Sequence, residues 1–280
     1  MFVDRAGTTW SDTEEGHYLC SSLLRCLHNP GQALSEFLNL CKAIGIKPTL
    51  LNGNQDRPSL LFATHGGPSS DSRLIVGGLH GDEPAGVLGI LLFLRRLAAA
   101  GNLHSYPPFA ILPLVSPTAF GLARRTNAWH ENANRGYFPA TKPGNEEAEC
   151  PSREGFTILE NFETVVRHAP AGTLALHEDV DTREYYLYAY EESDIPTGAT
   201  ERIRDKGGER FGTISCDPHF PEGPVNGGII HNDIGSGALD EVIFLAGSKM
   251  VVVSETPGKC RLEDRIQLNA DLVSTFLERG

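Results

Sequence analysis

Apolar and polar residues follow two different periods along this chain, and the period switches from segment to segment. In "ALSEFLNLCKAIG" (33–45) leucine and phenylalanine recur three and four residues apart before a glycine, the pattern of an amphipathic helix and its stop. "KPTLL" (47–51) and "PSLLFATHG" (58–66) are short strand-like runs joined by the turn-rich "NGNQDR", which suits a hairpin. "SRLIVGGLH" (72–80) is nearly continuous apolar sequence, as expected for a strand covered on both faces. Pro84 then suits the first turn of a helix running through "AGVLGILLFLRRLAAAG" (85–101). Further strands are expected in "FAILPLVSP" (109–117), "GTLALHE" (172–178), "YYLYAY" (185–190) and "SKMVVVSE" (248–255). Helices are expected in "FTILENFETVVRHA" (156–169), "ATERIRDKGGERF" (199–211) and "DRIQLNADLVSTFLER" (264–279). "YLCSSLLRCLHNPG" (18–31) reads as a short helix ended by Pro30 and Gly31, and 141–155 as a polar surface loop.

Strands alternating with helices predict an α/β fold: three α/β/α layers around a central, mixed but mostly parallel sheet. The 280 residues, with 40% hydrophobic and 8% aromatic content, suffice for one sizeable core, and no linker divides them. A single catalytic domain over 1–280 is expected, with 1–30 as a possible helical extension.

A net charge of -12 argues against nucleic acid and against an anionic membrane surface as partners. The amino terminus has neither a basic start nor an apolar core, and no apolar run reaches the length of a membrane span. Six scattered cysteines (Cys20, Cys26, Cys41, Cys150, Cys216, Cys260) without a CxxC pair then read as reduced thiols of a cytoplasmic protein.

In open α/β sheets, sites gather at the carboxyl ends of strands. Three of the expected strands end in His80, His177 and Glu255. A catalytic zinc takes three protein ligands, and two histidines with one glutamate are a recurrent set. His80 and Glu83 in "HGDE" supply two ligands from one bend, and a neighbouring strand end is well placed for the third. HxxE alone is weak, since roughly one chance copy is expected in a chain of this size. "HFPE" (His219, Glu222) is such a copy, proline-broken and without a strand before it, and reads as a loop.

"HGDEPAG" (80–86) resembles the zinc-binding motif of the zinc carboxypeptidase superfamily, which includes a succinylglutamate desuccinylase and aspartoacylase branch. The resemblance continues in order through "RTNAWHENANRGY" (125–137), "LALHEDVD" (174–181) and "VVVSETPG" (251–258). It implies one zinc ion on His80, Glu83 and His177, with Glu255 as the general base. It further implies that Arg125 polarises the scissile carbonyl and that Asn134 and Arg135 hold the substrate's free carboxylate. Arginine suits that last task because its planar fork matches a carboxylate bidentately. The chain departs from the family where Asn132 and Ala133 replace the frequent aspartate and leucine, a change expected to matter little at the metal. Arg124 beside Arg125 leaves the carbonyl-polarising residue open by one position. His231, Asp233 and Asp240 fall in a region where no role could be placed.

Glu178, Asp179 and Asp181 beside His177 raise a second metal, but neighbouring strand residues face opposite ways, so Glu178 is not expected to share the site. Asp179 points back and is a candidate partner of His177. A serine nucleophile elbow, a deaminase P-C-x-x-C and a dinucleotide-binding G-x-G-x-x-G are all missing. The expected function is therefore a metallocarboxypeptidase acting on small peptides or cell-wall-type fragments. The alternative is an N-acyl amino acid amidohydrolase, and a zinc-binding scaffold without turnover is a minor third. The stretch after Glu255 leaves room for one closing helix, which favours the peptidase over the deacylase branch with its extra β-domain.

Overall fold

The computed structural model describes residues 22–141, 150–193, 195–215 and 225–278. The "HFPE" loop, Cys20, Cys216 and residues 142–149 of the polar segment 141–155 lie outside the described residues. In chain order the helices are α1 (Pro30–Ile44), α2 (Pro84–Ala100), α3 (Pro117–Leu122), α4 (Arg153–Glu160), α5 (Phe162–Val166), α6 (Gly198–Phe211), α7 (Leu239–Leu245) and α8 (Leu262–Leu277). The strands are β1 (Lys47–Leu51), β2 (Leu60–His65), β3 (Arg73–Gly77), β4 (Phe109–Leu112), β5 (Gly172–Asp179), β6 (Tyr186–Glu191), β7 (Val225–Asn226), β8 (Ile229–His231) and β9 (Met250–Pro257).

All nine strands form one sheet in the order β1-β2-β4-β3-β5-β9-β6-β8-β7. Its centre, β4-β3-β5-β9, is parallel, while β2 runs antiparallel to β1 and β4 on one side and β6 runs antiparallel to β9 but parallel to β8 on the other. The β1–β2 hairpin is the one expected, with Leu51 opposite Leu60.

Alternation along each central strand builds two cores. Ile75, Phe109, Ile111, Leu174, Leu176 and Val252 face α1, α2 and α8, whereas Leu74, Val76, Leu112, Ala175, Val251 and Val253 face α4, α5 and α7. This is the expected α/β/α layering. The helix α2 is apolar nearly all round because it is wedged between the sheet and other helices. Its one inner cation, Arg96, is met by Asp271 and Gln267 of α8. Among the described residues no helix is long and apolar enough to cross a membrane.

Four boundaries differ from the sequence expectation. Pro30 and Gly31 do not end a helix but begin α1, where Asn29 Oδ1 accepts from Gln32 N and proline needs no donor of its own. The helix expected over 156–169 is two, broken at Asn161, whose side chain donates to Thr157 O and Asn52 O. β4 stops at Leu112 ahead of Pro113, and Pro117 starts α3. The third strand stops at Gly77, so His80 sits in the bend after it, not on its last residue.

Two glycines make that bend possible. Gly78 has φ +68°, a left-handed conformation that costs glycine nothing. A Cβ on Gly81 would lie 1.9 Å from Ala119 O, and Gly81 N donates to Arg124 O at 2.8 Å. Gly81→Ala is therefore expected to cost at least about 1–3 kcal/mol as the backbone yields. Urea unfolding checks it, and an unchanged midpoint would mean the bend can open freely.

Candidate metal centre

His80, Glu83 and His177 meet at the carboxyl edge of the parallel strands. The bend after β3 carries His80, and Glu83 is the N-cap of α2, with Pro84 at the first helical position. His177 lies near the end of β5 and pairs in register with Glu255 of β9, so the two side chains leave the sheet on the same face. One donor atom from each of His80, Glu83 and His177 lies within 4.8 Å of the others, and all three residues are buried.

Glu83 occupies the middle. Its Oε1 is 2.7 Å from His80 Nδ1 and accepts from Arg125 Nη1 at 3.2 Å. Its Oε2 is 2.8 Å from His177 Nδ1 and accepts from Glu178 N at 3.2 Å. Burial works against its charge, but the two imidazoles outweigh that and hold its carboxyl well below the usual range. Burial also pushes His80 below the ordinary histidine value, toward the neutral ring. For His177 burial acts the same way, yet Glu83, with Glu255 and Asp240, lifts it to about 9.

The hydrogen bonds behind His80 test whether these residues suit a cation. Asn132 Oδ1 accepts from Asn134 N at 2.9 Å, which fixes the oxygen as the atom 3.0 Å from His80 Nε2. His80 Nε2 therefore donates, and a neutral ring then presents a bare Nδ1 lone pair to Glu83 Oε1. These two electron-rich atoms share Arg125 Nη1, 3.3 Å from the nitrogen and 3.2 Å from the oxygen, so the pair already attracts a positive centre. Two imidazole nitrogens and one carboxylate are a donor set for a divalent metal, so the residues fit.

The sequence-derived residues fall as follows. Glu255 stands beside the cluster. Burial, then the charges of Glu83 and Asp179, raise its carboxyl to about 8 against the opposing pull of His177 and Arg125. Arg125, not Arg124, reaches the cluster, its Nη1 lying 3.3 Å from His80 Nδ1. The Arg124 carbonyl instead holds the Gly81 amide. Arg135 lies close enough to Arg125 for repulsion to reinforce burial in lowering its pKa. Among the described residues no carboxylate comes within 4.0 Å of it; its Nη1 donates to Asn134 O at 2.8 Å. Asn134 is buried with both ends of its carboxamide engaged, Oδ1 by Leu239 N at 2.9 Å and Nδ2 by Asp240 Oδ2 at 3.0 Å.

Glu178 faces the opposite layer, as alternation requires. Its Oε1 accepts from Ala85 N at 2.6 Å in the first turn of α2, and its Oε2 pairs with Arg265 of α8. It anchors the helix start that carries Glu83, and takes no part in a second metal site. Asp179 accepts from Tyr186 Oη and Asp181 N, which places its charge next to Glu255.

Two neighbours of the cluster escaped sequence reasoning. Asn132, a departure expected to matter little at the metal, is in direct contact with His80. Its position two residues before Asn134, where the family it resembles often has aspartate, was the available signal. Asp240 lies 3.9 Å from His177 Nε2, and no local pattern marked it.

No protein-family model matches the chain, and no curated protein does. Solved structures do match. A chain from Shewanella denitrificans OS217 and one from Shewanella amazonensis SB2B, each called a "putative metallopeptidase", share 29% and 30% of residues with it. Both superpose with a TM-score of 0.78; the alignments cover 89% of this chain and 89% and 92% of theirs. A metallo-carboxypeptidase from Burkholderia cenocepacia, at 17% identity, has a similar fold, with a TM-score of 0.58 over 87% of this chain and 66% of that one.

Proposed function

The chain belongs to the zinc carboxypeptidase-like superfamily of metallohydrolases, and from that premise we propose that it is a zinc-dependent carboxypeptidase. It would cleave the amide bond next to a free carboxylate in a peptide or cell-wall-type fragment. The observation that carries this reading is the convergence of His80 Nδ1, Glu83 and His177 Nδ1 beside a partly buried Glu255.

His80, Glu83 and His177 would hold the ion, and nitrogen and oxygen donors in that ratio favour zinc among common cations. An ion there supplies Lewis acidity and lowers the pKa of water to about 7. Glu255 then serves as proton acceptor and later as donor to the leaving amine, a task for which a carboxyl lifted toward neutrality is suited. Arg125, half-exposed at the rim of the cluster, faces outward far enough to stabilise negative charge developing on a carbonyl oxygen. Arg135, a guanidinium without a near carboxylate among the described residues, would take the substrate's terminal carboxylate. Asn134, already engaged at both ends, would support Arg135 more than it would touch substrate.

The two relatives at 29% and 30% identity carry peptidase names, which weighs for a peptide over an N-acyl amino acid. The zinc-loaded protein is to be assayed on peptides with free carboxyl termini, on the same peptides amidated, and on N-acyl amino acids. Free-acid peptides should lose their last residue, and amidated ones should be poor substrates. A preference for N-acyl amino acids would replace the peptidase reading with the amidohydrolase one. Arg135→Ala should raise KM about 10–100-fold with kcat little changed, the effect of losing one charge-assisted contact. An amidated peptide cleaved as well as its free acid by the parent protein would remove the clamp.

A further inference from the structure

Behind the two histidines runs a buried polar frame that links their outward nitrogens. His80 Nε2 donates to Asn132 Oδ1 at 3.0 Å, and that oxygen also accepts from Asn134 N at 2.9 Å. The Asn134 carboxamide continues the frame by donating from Nδ2 to Asp240 Oδ2 at 3.0 Å. Asp240 Oδ2 in turn lies 3.9 Å from His177 Nε2. Asp240 is only 1% exposed, and its Oδ1 has no hydrogen-bond partner among the described residues. A carboxylate buried at that expense, with one oxygen unanswered, calls for a reason.

We propose that Asp240 is a positioning residue for the metal site, the acceptor that holds the Nε2 proton of His177 and so keeps Nδ1 free as a ligand. The inference rests on the metallohydrolase reading above. A neutral imidazole bound through Nδ1 must carry its proton on Nε2, and that proton needs an acceptor. Asn134 Nδ2, 3.5 Å from His177 Nε2, cannot serve. Its partner oxygen is fixed by Leu239 N, so the atom facing His177 is a donor. Asp240 Oδ2, at an ion-pair distance of 3.9 Å, is the acceptor that faces Nε2 and closes to hydrogen-bond length when the proton sits there. The two ligands are thereby backed unequally, His80 by a neutral amide and His177 by a carboxylate. Asn134 brackets both, since its backbone braces Asn132 and its side chain braces Asp240.

The test compares the full-length parent with Asp240→Asn, which keeps size and shape. Zinc affinity is measured by competition with a chelating dye, without substrate, alongside circular dichroism to verify equal folding. The variant should bind zinc about 10–100-fold more weakly. In nitrogen–proton correlation spectra of the zinc-loaded proteins, the His177 Nε2 proton should be present, protected from exchange and shifted by the substitution. The His80 signal should stay in place. A folded variant within twofold of the parent's affinity overturns the proposal and leaves the metal reading standing. A parent that binds no divalent ion overturns both. Should the variant fail to fold, the parent spectrum decides: His177 protonated on Nε2 supports the proposal, and protonation on Nδ1 in the loaded protein refutes it.

Discussion

Glu255→Gln is expected to lower kcat by about 10²–10⁴ while the protein still binds its ion, the range over which a positioned acid–base group contributes. Glutamine keeps the size of the side chain and loses the ability to take a proton. Glu255 is not among the three converging donors, so its replacement leaves the ligand set intact. Its place is set by the parallel pairing of β5 and β9, which puts it directly opposite His177. The sheet's polarity does the chemistry a further service. Glu255 sits at the edge where Glu83 and Asp179 crowd it with negative charge, and burial with that crowding lifts its carboxyl to about 8. A bound cation opposes the lift, so the working value falls between the ordinary carboxylate range and about 8. The acid limb of the kcat–pH profile should report that value and vanish in the variant. Turnover unchanged in Glu255→Gln, with zinc bound one to one, would move the base elsewhere.

What could be read from the chain, and what could not, divides along contact range. The helix start at Glu83–Pro84 and the β1–β2 hairpin depend on neighbours in sequence, and local chemistry announced them. His177 and Glu255 were legible because each closes an apolar run, although their strands continue to Asp179 and Pro257. One misplaced boundary came from proline read as a stop when it was a start, at Pro30, where Asn29 supplies the cap. Asn132 and Asp240 belong to the other kind. Their meaning lies in contacts 52 residues away for Asn132 with His80 and 106 for Asp240 with Asn134. Nothing in "HENANR" or "GALDEV" says which carboxamide or carboxylate will stand behind which imidazole. Arg125 was separated from Arg124 only by geometry, because one turn of backbone sends the first carbonyl to Gly81 and the second guanidinium to Glu83.

The ion's affinity should rise about tenfold between pH 7 and 8 and about fivefold more by pH 9, because loading the site means removing a proton. Without an ion, the proton on His177 Nδ1 lies against Glu83 Oε2 at 2.8 Å. Burial alone would drive that proton off, but Glu83 first, then Glu255 and Asp240, hold it until about pH 9. An ion bound through Nδ1 must displace it, and one proton released per ion makes the logarithm of affinity climb with unit slope below that pH. The sign follows from the direction of the shift: a histidine raised above its ordinary value competes hardest at low pH and stops competing above its own pKa. His80 adds nothing over this range, since burial keeps it neutral. The same carboxylate that will hold the metal therefore first holds the proton in its place, and Glu83 sets both affinities. Calorimetric titration in buffers of differing ionisation enthalpy measures the proton count directly. A flat affinity from pH 7 to 9 would mean that His177 is already neutral, and that the Glu83 carboxylate faces two bare nitrogens instead of one.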